Sequence, residues 1–498
     1  MKKMTLKKFF GGICCAAMAL FAVSCAQGAD EEVWSGGVTN TQLQSPEITD
    51  ACFDIVATND GDIVKFTWPV VYGGDGYEVK VASQETGEML IDTLIDGQSV
   101  TFPMVEDSYF DISVKVFGND RYNNKDAAEP TQYTYSTWGT VINIPSGSEL
   151  ASEIAARRVD PANPTLGLVY ELEAGGTYTL SDAADFNMDK VVLRGNADSP
   201  AIVTVSGNGY LMTQAGLKVT NVRFDCTEST ATGFITMHST PDASISTESL
   251  GFKADGANQD AFVVMKPIIL DNVWIKNLPK SLLYDNQQAY ALYDFRINNC
   301  LIQVNNASSA TFLDFYKKGK LIKNMTIQNN TIWNVVQNKS AYFIRYNNAS
   351  NSQPKKVFGN SGNSIKHDWF NNTFAKMFTG KDFGNNTTQQ NTAVYTMENN
   401  NFYDVFRLYQ YLHNNCKRYT NNNAIWYKHG SPQSNDYGGR KDTNGNPFAT
   451  LEEGTTFVTP ESETEPYLPE IDLTAENGGV NFKANGALSS TIGDPRWL

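Results

Sequence analysis

Five short apolar segments in the C-terminal part of the chain each carry a residue suited to carboxylates or sugar rings. They are Leu282-Leu283-Tyr284, Phe312-Leu313-Asp314, Phe343-Ile344-Arg345, Met377-Phe378-Thr379 and Phe406-Arg407-Leu408. Aligned on their apolar residues, Tyr284, Asp314, Arg345 and Thr379 fall in one column, with Arg407 one place out of step; Tyr316, Tyr346 and Tyr409 stand beside it. If the segments are parallel strands stacked in sequence order, the column is a stripe of outward side chains spaced about 4.8 Å apart. A guanidinium fork matches a carboxylate, and a tyrosine face stacks on a sugar ring. The stripe therefore suits an anionic chain lying along a sheet. For an elimination reaction, Arg345 or Arg407 would be the base and Asp314 a metal ligand or orienting group. One aspartate is thin support for calcium, which takes about six or more oxygens. The plain alternative is a surface ion pair between Asp314 and Arg345, of little energetic consequence.

The elements that must position this column announce themselves as an internal repeat. Its unit is two alternating apolar residues, a pair of asparagines, then apolar or aromatic residues. It reads Phe295-Arg296-Ile297-Asn298-Asn299-Cys300-Leu301-Ile302, then Met325-Thr326-Ile327-Gln328-Asn329-Asn330-Thr331-Ile332-Trp333, and returns around Asn371-Asn372, Asn399-Asn400 and Asn421-Asn422. A repeat of this length denotes a solenoid, and the period-two alternation excludes a helical one. A β-helix coil turns sharply between short strands, and asparagine tolerates the left-handed conformation such turns use. Stacked amides can also bond as a ladder. Aligned as Asn196, Asn221, Asn272, Asn299, Asn330, Asn372, Asn400 and Asn422, the asparagines lie 25, 51, 27, 31, 42, 28 and 22 residues apart. The short spacings suit one coil of three strands. The spacing of 42 implies a loop insertion, and 51 implies two coils or a larger insertion. The polar segments 240–260 and 347–364 are the candidate loops. The expectation is a right-handed parallel β-helix over 141–498. Ser146-Gly147-Ser148-Glu149 reads as a capping box for a short helix, with Leu150 and Ile154 on one face, that plugs the N-terminal end. The first coil then opens through Val169–Leu172 and Gly176–Leu180. Trp274, Trp333 and Trp426 occupy repeat positions where core packing is the default reading.

Residues 46–140 read differently. Ile63–Trp68, Tyr77–Val81 and Tyr109–Val116 alternate with period two and are broken by turns such as Gly73-Gly74-Asp75-Gly76, which indicates a β-sandwich. With Trp68 on an early strand, Tyr77 on the next and Tyr109 opening a late one, the segment resembles a fibronectin type III domain, whose usual role is a spacer.

At the N-terminus Lys2, Lys3, Lys7 and Lys8 precede an apolar run from Ile13 to Val23, which is the pattern of a signal peptide and too short for a spanning helix. Phe21-Ala22-Val23-Ser24-Cys25 resembles a lipobox, which implies lipidation of Cys25, a signal peptide over 1–24 and a tether over 25–45. The acidic Asp30, Glu31 and Glu32 that follow resemble a surface-export signal. Cys52, Cys226, Cys300 and Cys416 are scattered singly, which excludes the usual zinc spacings and argues against a disulfide framework; they read as buried thiols. His238, His367 and His413 show no metal-ligand spacing.

The net charge of −15 hides an asymmetry. Between Gly251 and Lys441 there are 22 Lys plus Arg against 11 Asp plus Glu, a local +11, so the remainder carries −26. A basic block in an acidic chain is the footprint of an anionic partner. In an exported protein a uronic-acid polysaccharide fits that description better than nucleic acid, and a solvated basic face is the bland alternative.

Together Gly176-Thr177-Tyr178, Leu193-Arg194-Gly195, the Asn-Asn coils and the terminal Gly493-Asp494-Pro495-Arg496-Trp497 resemble an uncharacterised family of surface lipoproteins. These have pectate-lyase-like β-helices and come from bacterial pectin-utilisation loci. The resemblance covers about residues 141–498 and implies an outer-membrane, lipid-anchored protein facing the cell exterior, with an acidic polysaccharide as partner and membrane contact only through the anchor. It carries over no catalytic residue. Pectin-active hydrolases need paired aspartates, and the coil region holds no Asp-Asp dipeptide; His429-Gly430 is a lone dipeptide. Three readings stay open: binding of pectin-type polysaccharide with no cofactor, through Tyr284, Asp314, Tyr316, Arg345, Arg407 and Tyr409; a polysaccharide lyase, with Ca2+; and a structural or adhesive surface protein.

Overall fold

The computed structural model describes residues 37–58, 61–84, 87–105, 108–137, 139–157, 168–346, 354–362, 364–381, 383–385, 393–405, 417–426, 449–450, 468–483 and 491–498. They divide into two compact units, 1–139 and 140–498. Cys25, Arg407, Tyr409, His413, Cys416 and His429 lie outside the described residues, as does part of the 347–364 loop.

In the first unit the three alternating runs become Gly61–Thr67, Gly74–Ser83 and Tyr109–Gly118. They belong to two antiparallel sheets, one of three strands and one of four. Alternation places one side chain in two inward, so Phe53, Phe66 and Phe102 of one sheet meet Val79, Ile112 and Val114 of the other in a single core. Trp68 and Tyr77 are buried there, their rings 5.5 Å apart edge to face.

The second unit is a parallel β-helix. Its strands recur in the order A, B, C, and each pairs in parallel with its counterpart in the next coil. Sheet A runs from Thr140–Ile144 to Lys417–Asn421, sheet B from Thr177–Leu180 to Ala449–Thr450, and sheet C from Ala183–Asp185 to Gly384–Asn385. Leu217–Thr220 pairs directly with Ile268–Asp271, so the 51-residue spacing is one coil with a large insertion. Inside, aromatic rings stack from coil to coil: Phe312 on Phe343 at 4.9 Å and Phe343 on Phe383 at 4.4 Å.

The A-to-B corner carries the asparagines. Asn221, Asn272, Asn299, Asn329, Asn371, Asn399 and Asn422 all have φ between 51° and 57°. In Asn329-Asn330, Asn371-Asn372 and Asn399-Asn400 the left-handed residue is therefore the first of the two, one place before the expected Asn330, Asn372 and Asn400. The second asparagine points inward. Asn330 Nδ2 donates to Asn372 Oδ1 at 3.0 Å, Asn372 Nδ2 to Asn400 Oδ1 at 2.8 Å, and Asn400 Nδ2 to Asn423 Oδ1 at 2.9 Å. Each oxygen also accepts the backbone N–H of the preceding coil's asparagine, and each Nδ2 also donates to a carbonyl such as Ile327 O. The members of this ladder are 0–1% exposed, so every amide needs its neighbour. A second, outer ladder joins the left-handed residues, with Asn399 Nδ2 donating to Asn371 Oδ1 at 3.0 Å.

The plug differs from the expected capping box. Helix Leu150–Arg157 does bury Leu150 and Ile154, along with Ala151. Its cap is Glu149, whose carboxylate accepts Ser152 N–H at 2.7 Å and Ser181 N–H at 3.0 Å. Ser146 Oγ instead accepts Thr177 N–H at 3.0 Å, tying the plug to the first coil.

A strap formed by 468–483 and 491–498 lies on the outer face of sheet B. Ile471, Leu473, Val480, Phe482, Ile492 and Trp497 cover Trp274, Leu301, Trp333, Ala375 and Tyr403. Trp333 Nε1 donates to Pro469 O at 2.9 Å. Trp274 and Trp333 are thus buried, in a second core outside the coil rather than within it; Trp426 holds the same register position as Tyr403. The terminal motif fastens the strap. Buried Asp494 accepts Thr331 Oγ1 at 2.8 Å and the Arg496 guanidinium at 2.6 Å, and Arg496 reaches Asn299 Oδ1 at 2.6 Å and Cys300 O at 3.3 Å. Trp497 Nε1 donates to Thr331 Oγ1 at 2.7 Å. Cys52, Cys226 and Cys300 are free thiols, the last two buried.

Two substitutions separate the roles of an asparagine pair. Asn371→Gly keeps the left-handed corner and should cost no more than about 1 kcal/mol. Asn372→Ala leaves several buried donors and acceptors unpaired at about 1–3 kcal/mol each, so urea unfolding should place it several kcal/mol below the wild type. Equal costs would contradict the two-ladder account.

His367 is a second probe. It lies fully inside the coil with its Nε2 3.1 Å from Ile322 O, and burial pushes its pKa down to about 4. The folded state therefore binds fewer protons than the unfolded state between pH 6.5 and 4, so stability present above pH 6.5 is lost as pH falls toward 4. From pH 7 to 4 the wild type should lose on the order of 3 kcal/mol relative to His367→Met. Taking the difference removes the opposite contribution of Asp285 and Asp494, whose pKa values burial pushes up to about 6. A pH-independent difference would contradict this.

Candidate functional site

Sheet C carries the predicted column. Its strands Ser281–Tyr284, Leu313–Phe315, Ile344–Tyr346 and Gly384–Asn385 pair with Tyr284 beside Asp314, Asp314 beside Arg345, and Arg345 beside Asn385. In the other direction the column continues through Thr236 and Met212 to Asp185. Three of the expected residues, Tyr284, Asp314 and Arg345, thus occupy successive rungs.

Thr379 does not join them. It is buried in the corner before the strand, donating its N–H to Asn338 O at 2.8 Å. The apolar pair Met377-Phe378 imitates a strand, but both are buried in that corner, with Phe378 at φ 68°. The strand itself begins at Gly384, so Asn385 takes the rung. Tyr346, expected beside the stripe, is 2% exposed and packs inward, 6.1 Å from Phe315, because alternation turns the neighbour of an outward arginine into the core.

Asp314 and Arg345 do not form the surface ion pair considered as the plain alternative; among the described residues Arg345 is in no ion pair. Its Cζ lies 3.2 Å from the ring centroid of Tyr316 and 4.7 Å from that of Tyr342. Two tyrosine faces thus hold the guanidinium by cation–π attraction. Its Nε is buried and, among the described residues, has no hydrogen-bond partner. Tyr316 is exposed, and its N–H donates to Asp314 Oδ1 at 3.0 Å. Burial raises the Asp314 pKa above the usual carboxylate value, while the Tyr316 N–H and the charges of Arg345 and Lys317 pull it back.

Sequence reasoning missed Asp285, which builds the turn presenting Tyr316. Fully buried, it accepts Gln287 N–H and Gly319 N–H, each at 2.8 Å. A Cβ at residue 319 would lie 2.5 Å from Asp285 Oδ2, so glycine is required there by close approach. The signal was legible in Tyr316-Lys317-Lys318-Gly319 as a turn, but nothing in the sequence joins that turn to residue 285. With both oxygens committed to backbone N–H groups, Asp285 is not a second catalytic carboxylate beside Asp314.

The corners on either side of sheet C are basic. Lys317 and Lys318 stand exposed in the C-to-A corner, and Lys339 and Lys381 in B-to-C corners. Among the described residues no group of three or more His, Cys, Asp or Glu side chains is placed to hold a metal ion. His238 stands 3.7 Å from Asp185.

An all-β chain whose larger unit is a parallel β-helix with a polar, basic-rimmed sheet C is what these observations define. Residues 176–335 match a family described as Domain of unknown function (DUF4957), and residues 1–175 match another domain of unknown function, DUF4992. No curated protein sequence matches the chain. Among solved structures it is similar to the PL6 family alginate lyase AlyGC, at 12% identity and a TM-score of 0.32, over 58% of this chain and 39% of that one. The chain therefore spans about two fifths of that enzyme's length. It is also similar to a family 28 exopolygalacturonase of Yersinia enterocolitica, at 12% identity and a TM-score of 0.23, over 78% and 82%. The pectate lyase Pel3 of Pectobacterium carotovorum follows, at 8% identity and a TM-score of 0.13, over 59% and 84%. The assignment of the fold rests on the strand register described above.

Proposed function

We propose that this protein is a lipid-anchored surface protein that holds an acidic polysaccharide of the pectin type on the outer face of sheet C without cleaving it. Arg345 carries the reading. It is an outward-column arginine stacked by two tyrosines, and among the described residues its Nε has no hydrogen-bond partner and its guanidinium is in no ion pair. A guanidinium so prepared presents its fork to a carboxylate with little left to reorganise. Tyr284 and Tyr316 offer ring faces one or two rungs away. The lysines on both flanking corners supply the longer-range attraction for a polyanion, in keeping with the +11 block. Arg407 and Tyr409, which lie outside the described residues, belong to the same proposal. Binding without cleavage is favoured over hydrolysis because, among the described residues, Asp314 has no free carboxylate beside it, Asp285 being committed to its turn. The fibronectin type III-like sandwich acts as a spacer, and lipid on Cys25 holds the assembly at the outer membrane, facing outward.

Residues 26–498 should be retarded in native gels containing de-esterified pectin, less so with added salt, and not by a neutral glucan. Arg345→Ala should weaken retention about 10-fold or more, since a hydrogen bond to a charged group contributes about 1.5–3 kcal/mol. Retention unchanged in Arg345→Ala and in the Arg345→Ala/Arg407→Ala double variant would dismiss the stripe. Release of unsaturated, ultraviolet-absorbing product would replace binding with lyase activity.

A further inference from the structure

We infer that sheet C selects a polysaccharide whose uronic acids are flanked by neutral sugars over a run of consecutive uronates, and that Asp314 sets this preference. This rests on sheet C being the face that holds an acidic polysaccharide, and it names the kind of chain that face takes. The charges of the outward column carry the inference. Successive described rungs run Thr236, Tyr284, Asp314, Arg345 and Asn385, and the far end of the column adds a second acid, Asp185. Among the described rungs Arg345 is the one cation. It stands between a carboxylate on the rung before and a neutral amide on the rung after.

Rungs about 4.8 Å apart are close to the advance of one pyranose in an extended glycan. A chain lying along the column therefore sets roughly one sugar on each rung. A uronate whose carboxylate meets the Arg345 fork places its two neighbours over Asp314 and Asn385. Asp314 is half-buried, its Oδ1 accepts the Tyr316 N–H at 3.0 Å, and among the described residues it is in no ion pair. The charges of Arg345 and Lys317 act on it from farther off and favour its ionised form.

A neutral sugar suits that rung, because a carboxylate accepts from hydroxyl groups. A second uronate there sets two like charges side by side, partly out of water, which costs affinity. Lys317, Lys318, Lys339 and Lys381 are exposed in the corners. They draw a polyanion toward the face, but on the described rungs none stands in for Arg345. The column thus holds one carboxylate firmly and repels the next, and a repulsive element of this kind is a common source of specificity.

The test is isothermal titration calorimetry of residues 26–498 with two probes of equal length. One is an oligosaccharide of consecutive galacturonates; in the other, galacturonate alternates with rhamnose. The wild type should bind the alternating probe about 10-fold or more tightly than the consecutive one, although it carries fewer charges. Asp314→Asn keeps an oxygen for the Tyr316 N–H and should tighten binding of the consecutive probe several-fold without tightening the alternating one. Arg345→Ala should lose both. Consecutive galacturonates bound as tightly as the alternating probe by the wild type overturn the inference and leave the acidic-polysaccharide reading in place. Binding of neither probe removes that reading and the inference with it. A preference that persists undiminished in Asp314→Asn overturns the assignment to Asp314.

Discussion

Everything in the larger unit depends on one corner being made the same way in successive coils. Its first residue must be left-handed and its second must bury a side chain whose donors and acceptors are met only by the coils above and below. Asparagine does both. At φ near 50° it avoids much of the steric penalty other side chains meet, and its amide is both donor and acceptor, so it can continue a ladder indefinitely. The inner ladder from Asn330 to Asn423 fixes the register of sheets A and B. A register fixed there is transmitted through short strands to sheet C, where a slip of one residue would turn Arg345 inward and Tyr346 outward. The geometry of the stripe is thus a consequence of amides on another edge of the coil.

The three outer faces have different fates. Sheet B is covered by the strap, whose terminal Asp494, Arg496 and Trp497 bond to Thr331, Asn299 and Cys300 of successive coils. The motif Gly493–Trp497 therefore has a structural explanation that needs no ligand. Sheet A is covered at Tyr293 by Phe358 of the inserted helix Pro354–Phe358. Sheet C keeps a polar outward column between basic corners, and it is there that the arginine and the tyrosines meet.

Much of this was legible in the sequence because a period of two and a coil-length repeat survive translation into structure directly. Sandwich strands, β-helix, plug helix and the rungs Tyr284, Asp314 and Arg345 all follow from alternation and alignment. What failed was local. The asparagine pairs are alike in composition, so aligning on Asn330 rather than Asn329 shifted three corners by one place. Met377-Phe378-Thr379 satisfied an apolar pattern while folding as a corner. Asp285 was invisible because its partners, Gly319 and Gln287, are joined to it only by the stacking of coils. The strap was illegible for the same reason, since nothing in residues 468–483 and 491–498 names the sheet they cover.

The central claim is that sheet C is the face that holds an acidic polysaccharide, and hydrogen–deuterium exchange of residues 26–498 with and without polygalacturonate tests it most directly. The account predicts slowed exchange in the corners bordering that sheet, residues 316–319 and 336–342, with the strap at 468–483 unchanged. Protection confined to the strap or to the outer face of sheet A, or no protection at saturating polysaccharide, would contradict it.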